Sequence, residues 1–174
     1  MRGWRMRKMT FIFSTLAVFL AGCGQVFFNP EPYRVRLEPT QWGYEVEEGR
    51  IIIVGNNAVV EVAPGAPEGV LERYEYVYLD DSGNEILPGA SLGSGSVGLP
   101  FPPGREEVGG QMRYRWNRSE PFRFSLDGSV AAEHLSQGAP LNWRARVTWY
   151  ARLTNGEEKS WTQEYQIKLP LGRD

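Results

Sequence analysis

From residue 33 onward the apolar residues of this chain recur at every second position rather than every 3.6, and that spacing leaves few architectures open. Tyr33, Val35 and Leu37 alternate with Arg34, Arg36 and Glu38. Met112, Tyr114 and Trp116 alternate with Arg113 and Arg115, and Phe122, Phe124 and Leu126 with Arg123 and Ser125. Successive side chains of a strand point to opposite faces, so each run reads as a strand with one face buried and the other in water. Residues 51–54 and 58–62 are β-branched runs separated by Gly55, Asn56 and Asn57, which predicts a hairpin. Residues 71–80 form another strand, closed by the turn residues Asp80, Asp81, Ser82, Gly83 and Asn84. Near the end, Trp143, Ala145, Val147, Trp149, Ala151 and Leu153 share one face, Asn155 and Gly156 turn, and Trp161, Tyr165, Ile167 and Leu169 return. Only residues 129–136 leave room for a helical turn or two. Roughly eight or nine short strands without a long amphipathic helix predict an all-β, antiparallel sandwich over residues 33–174.

The terminal hairpin resembles the last two strands of immunoglobulin-like and fibronectin type III-like domains, with Trp143 near the position of their corner tyrosine. That resemblance implies architecture and no function. One cysteine cannot form an internal disulfide, and one cysteine with one histidine does not make a structural zinc site. A formal charge of −2 argues against a nucleic-acid partner, which calls for an excess of Lys and Arg.

The N-terminus reads as a secretory signal. Arg2, Arg5, Arg7 and Lys8 precede an apolar run over residues 11–20, about half the roughly 20 residues a membrane-spanning helix needs. Leu20, Ala21, Gly22 and Cys23 follow directly and resemble the lipobox of bacterial lipoproteins. The resemblance implies cleavage of residues 1–22, diacylglyceryl transfer to the Cys23 thiol and acylation of the new amine, with residues 23–32 as a lipidated tether. Gly24 stands where many inner-membrane lipoproteins have aspartate, so in a cell with two membranes the outer one is the expectation. Losing four basic residues and no acid takes the formal charge to −6. A net negative charge does not favour adhesion to anionic head groups, leaving the anchoring to the acyl chains.

Three features are candidates for binding. Residues 88–110 hold seven Gly and four Pro, far more than a connection of ~4–6 residues requires, and read as a loop whose extended stretch either presents Leu99 and Phe101 to a partner or packs them on the sandwich. Its GxGxxG string at residues 93–98 runs into Leu99-Pro100 instead of the helix that nucleotide binding needs. Tyr74, Tyr76 and Tyr78 line one face of a strand; they form an exposed ladder for sugars if Val77 faces the core, and ordinary packing if they face it themselves. Arg113 and Arg115, with Arg144, Arg146 and Arg152, form an anion-binding patch if their strands are neighbours, and an ordinary solvated face if Glu164 or other acids across the sheet pair with them. Catalysis has little footing: His134 is the single histidine, and no GxSxG or HExxH is present. The sequence therefore predicts a non-catalytic envelope module without a cofactor, held to a membrane through Cys23 and binding an envelope protein or a glycan. The alternative is a carbohydrate-binding or carbohydrate-active protein.

Overall fold

Alternating segments pair into two sheets that face each other across an aromatic core. The computed structural model describes residues 31–87 and 92–169. In chain order the elements are β1 (Tyr33–Glu38), β2 (Trp42–Glu47), β3 (Arg50–Ile53), β4 (Asn57–Val62), β5 (Gly69–Leu79), β6 (Leu92–Phe101), β7 (Arg105–Val108), β8 (Gln111–Tyr114), β9 (Asn117–Arg118), β10 (Phe122–Arg123), α1 (Gly128–Ser136), β11 (Arg144–Leu153) and β12 (Glu158–Lys168). One sheet has the order β1-β4-β10, with β9 also paired to β4; the larger has the order β3-β2-β12-β11-β5-β6; β7 and β8 form a separate ribbon. All these pairs are antiparallel except β2 with β12, which runs parallel.

Period two explains the core. Tyr33, Val35 and Leu37 from β1 and Ala58, Val60 and Val62 from β4 are buried against Ala145, Val147, Trp149, Ala151 and Leu153 of β11. Trp42 lies parallel to Tyr78 and Phe124, with ring centroids 5.8 and 5.6 Å away. A buried Trp removes ~150–250 Å² from water, an upper bound of about 4–6 kcal/mol. The open edge of β1 is closed by side chains of β12. Val35 N–H donates to Gln163 Oε1 at 2.6 Å, and Gln163 Nε2 and Tyr165 O–H donate to Val35 O at 3.2 and 2.9 Å. Gln163 thus satisfies backbone groups that would otherwise recruit another strand.

Four sequence expectations are corrected. Residues 51–62 are not a hairpin, because β3 belongs to the larger sheet and β4 to the smaller. Asn56, fully buried between them, donates through Nδ2 to Pro39 O and Gln41 O, both at 2.7 Å, and so fixes a crossing between sheets. Residues 112–116 do alternate, but their apolar side chains stay exposed on the ribbon. Of residues 122–126 only two are paired as a strand, although Phe124 and Leu126 still reach the core. Residues 88–110 are not one loop: within the described part, 92–101 form edge strand β6 and 105–108 form β7. Pro100 is tolerated there because an edge strand needs hydrogen bonds on one side only.

Candidate functional site

The tyrosine run and the glycine run explain each other. A register shift near Glu72 on β5 changes which alternate residues face inward, so Leu71 and then Tyr74, Tyr76 and Tyr78 all lie on the core side. Tyr74 sits opposite Gly95 and Tyr76 opposite Gly93. A Cβ on either glycine would stand 2.5 or 2.2 Å from the tyrosine ring, so the rings lie across the bare backbone of β6. Tyr78 is buried, and Tyr74 and Tyr76 are half-buried. Tyr76 O–H donates to Asp127 Oδ2 at 2.9 Å, and Asp127 N–H donates to the Tyr78 hydroxyl at 3.2 Å. Burial first, then the Asp127 carboxylate, push the Tyr76 hydroxyl up to about 12. These tyrosines are therefore no exposed ladder. Phe101 is also buried, its ring 5.4 Å from Tyr33, and Leu99 packs half-buried on the core, so neither forms a presented tip.

Of the two readings of the arginines, the strands adopt the pairing with Glu164 and not the patch. Arg144, Arg146 and Arg152 lie on β11, whereas Arg113 is on β8 and Arg115 just beyond it, away from that sheet. Glu164 takes Arg144 and Arg146 at 3.0 and 2.9 Å, and Arg152 lies between Glu72 and Glu158 at 2.9 and 3.0 Å. Arg73 meets Glu75 on the same face and stacks 3.6 Å above the Tyr150 ring. Each of these four cations has a carboxylate beside it. Arg115 pairs with Glu106 at 3.0 Å, and Arg113 sits opposite Glu106 in the register of the ribbon.

The outer face of the smaller sheet differs in kind. Register places Arg34 opposite Glu61, Arg36 opposite Val59 and Glu38 opposite Asn57, with Arg118 also opposite Glu61 and Arg123 opposite Asn57. Directly opposed residues share a face, so four arginines and two glutamates gather here. The Glu61 side chain is only 4% exposed. It takes Arg34 Nε at 2.5 Å, Arg118 Nη2 at 3.0 Å and Arg36 Nη1 at 3.7 Å, while Arg118 also reaches Glu38 at 3.3 Å. One buried carboxylate holds three guanidiniums in place without neutralising them, and each arginine side chain stays about half exposed. Beside β1 a depression of about 400 Å³ lies between Arg34, Arg36, Thr40 and Tyr165.

Trp116 joins this face to the ribbon. The Arg34 guanidinium carbon sits 4.6 Å from its ring centroid, and Trp116 is 44% exposed. Met112 and Tyr114 follow on the ribbon at 50% and 66% exposure, with Val108 near its tip. Asn117 Nδ2 secures the base by donating to Pro103 O at 2.7 Å and Arg105 O at 3.2 Å. Gly104 allows the close approach there, since a Cβ would fall 1.8 Å from Ala63 O. Sequence reading missed Arg34, Arg36, Arg118 and Arg123 as a group because only the strand register brings them together.

His134 is buried. Its Nδ1 accepts from Tyr44 O–H at 2.8 Å, and its Nε2–H donates to Pro140 O at 2.8 Å. Asp80 is committed to its turn: Oδ1 accepts from Ser82 N–H and Asn84 N–H, and Oδ2 from Asn84 Nδ2. The Asn84 bonds hold its carboxyl below the usual range. No group of metal-ligating side chains gathers among the described residues. Thermal melting of residues 31–174 is expected to be unchanged by EDTA, and a marked downward shift would show a bound cation at the Asp80 turn. Cys23 lies outside the described residues. No protein-family model matches the chain, and no curated protein matches it in sequence.

Proposed function

We propose that this protein is a non-catalytic, lipid-anchored module of the bacterial cell envelope that binds through the arginine face of its smaller sheet and the adjoining ribbon. The observation that carries the reading is the contrast between two surfaces. On the larger sheet Arg73, Arg144, Arg146 and Arg152 lie beside glutamates. On the smaller sheet Arg34, Arg36 and Arg118 converge on one buried carboxylate, next to exposed Met112, Tyr114 and Trp116. Apolar area and positive charge left together in water favour a partner that covers both. Arginine ordering, which costs up to ~2 kcal/mol per side chain, is already met in part by Glu61.

Anchoring rests on Leu20, Ala21, Gly22 and Cys23. Several acyl chains hold where one holds only marginally, at ~0.8 kcal/mol per buried methylene. The outer membrane is the proposed location where two membranes exist. Cys23→Ala is expected to abolish incorporation of radiolabelled fatty acid and to block the lipoprotein cleavage; equal labelling of the variant overturns the anchor. The binding face is tested by photocrosslinking from position 114 in the native envelope. A specific adduct lost in Arg36→Gln/Arg123→Gln supports the reading, and no adduct, or one that survives, counts against it. The carbohydrate alternative no longer has Tyr74, Tyr76 and Tyr78 to stand on, since these side chains lie on the core side.

A further inference from the structure

We propose that the arginine face and the β7–β8 ribbon dock together on a membrane surface of anionic phospholipid, the arginines taking lipid phosphates and the ribbon entering the interface. This rests on the binding face assigned above and names its partner. Charge is the first argument. The whole chain is formally −2, yet this face carries four arginines and two glutamates, one of them buried beneath the guanidiniums. Net charge alone therefore does not decide membrane affinity, because an adsorbed surface responds to the charge within about a Debye length of it, ~8–10 Å. Arginine offers a planar fork of donors that matches phosphate oxygens, and Glu61 fixes Arg34 and Arg118 before any ligand arrives.

Ribbon chemistry is the second argument. Met112, Tyr114 and Trp116 are exposed, and the ribbon register sets Glu107 opposite Met112 and Arg105 opposite Tyr114 on the same face, a mixture of apolar and charged groups that suits the head-group level of a bilayer. Trp and Tyr prefer the head-group level, where the ring meets hydrocarbon and the polar edge meets water. One face of Trp116 is occupied by Arg34, so that face is closed to stacking on a sugar. The two halves meet where Arg34 lies over Trp116.

Reach is the third. Ten chain steps lead from Cys23 to Tyr33 at the start of β1, at most ~35 Å of chain. With Cys23 lipidated, the strand bearing Arg34 and Arg36 is held near the bilayer, and tethering raises its effective concentration there.

The test uses residues 31–174, a compact unit that contains the whole described core, so that no acyl chain contributes. Cosedimentation compares vesicles of phosphatidylcholine alone with vesicles of equal parts phosphatidylcholine and phosphatidylglycerol. Binding is expected only to the anionic vesicles, and raised salt should reverse it. Arg36→Gln/Arg123→Gln, which leaves Arg34 and Arg118 on Glu61, should weaken it about tenfold or more, as expected for two cations removed from an anionic surface. Met112→Ser/Tyr114→Ser should weaken it likewise, with melting temperature confirming that both variants fold. No binding by the unaltered chain, equal binding to neutral vesicles, or undiminished binding by both folded variants overturns the inference. Absence of vesicle binding together with the arginine-dependent adduct at position 114 would leave the binding face standing with another occupant. Loss of both would end that reading too.

Discussion

Gly95→Val is expected to lower the unfolding free energy by about 1–3 kcal/mol, the usual cost of forcing extra carbon into a packed site. Intrinsic preference predicts the opposite sign: valine suits a strand better than glycine, by up to ~1 kcal/mol. What decides is the ring of Tyr74, whose Cζ would lie 2.5 Å from the new Cβ. An unconstrained tyrosine would swing aside at little cost, but this one is enclosed. Phe124 and Trp149 lie 5.2 and 5.3 Å from it and Tyr76 lies 6.1 Å away. Gly93→Val presses in the same way on Tyr76, whose hydroxyl is held by Asp127. Urea denaturation measures the loss. Tyr74→Ala in the Gly95→Val background should cost clearly less than the two single changes added, because the clash disappears with the ring. An unchanged or higher midpoint for Gly95→Val would show that β6 does not pack beneath the tyrosines.

The same interlock shows what the sequence could and could not reveal. Alternation is a local property, and where a strand faces a core it sufficed: the Ala145 to Leu153 face and its return through Trp161 and Ile167 are buried as the pattern implied. Glycine-rich strand β6 was illegible because its apolar cover comes from Tyr74 and Tyr76, about 20 residues away along the chain. Gly55, Asn56 and Asn57 looked like a hairpin turn because turn chemistry is the same whether the chain reverses within one sheet or passes to the other. The bulge near Glu72 left no sequence mark, so the facing of the tyrosines stayed open. Arginine placement failed for a related reason. Arg34 and Glu61 are 27 positions apart, and Arg118 reaches the same carboxylate from still further along. Composition averages over such clusters. A net negative chain can therefore carry a positive face.

His134→Ala is expected to cost about 3 kcal/mol or more, a large part of the ~5–15 kcal/mol that holds a domain of this size together. A carbonyl cannot donate, so the 2.8 Å contact with Pro140 O places the ring proton on Nε2, and Nδ1 is left to accept from Tyr44. Burial raises the pKa of the Tyr44 hydroxyl, which keeps it protonated and donating. The imidazole thus joins α1 to β2 on one side and to the chain beyond the helix on the other, packed 5.2 Å from Trp143. Alanine removes this volume and strands two polar groups, each costing about 1–3 kcal/mol when buried without a partner. His134→Phe restores most of the volume but neither hydrogen bond, so its loss should be smaller, and the difference between the two variants separates packing from hydrogen bonding. Both ring nitrogens are already engaged, so no lone pair remains for general-base chemistry unless the Tyr44 bond breaks. The damage should therefore appear in the denaturation midpoint of either variant, while vesicle binding per folded molecule, which depends on a different face, stays unchanged. A variant with native stability that had lost binding would instead make His134 part of the functional surface.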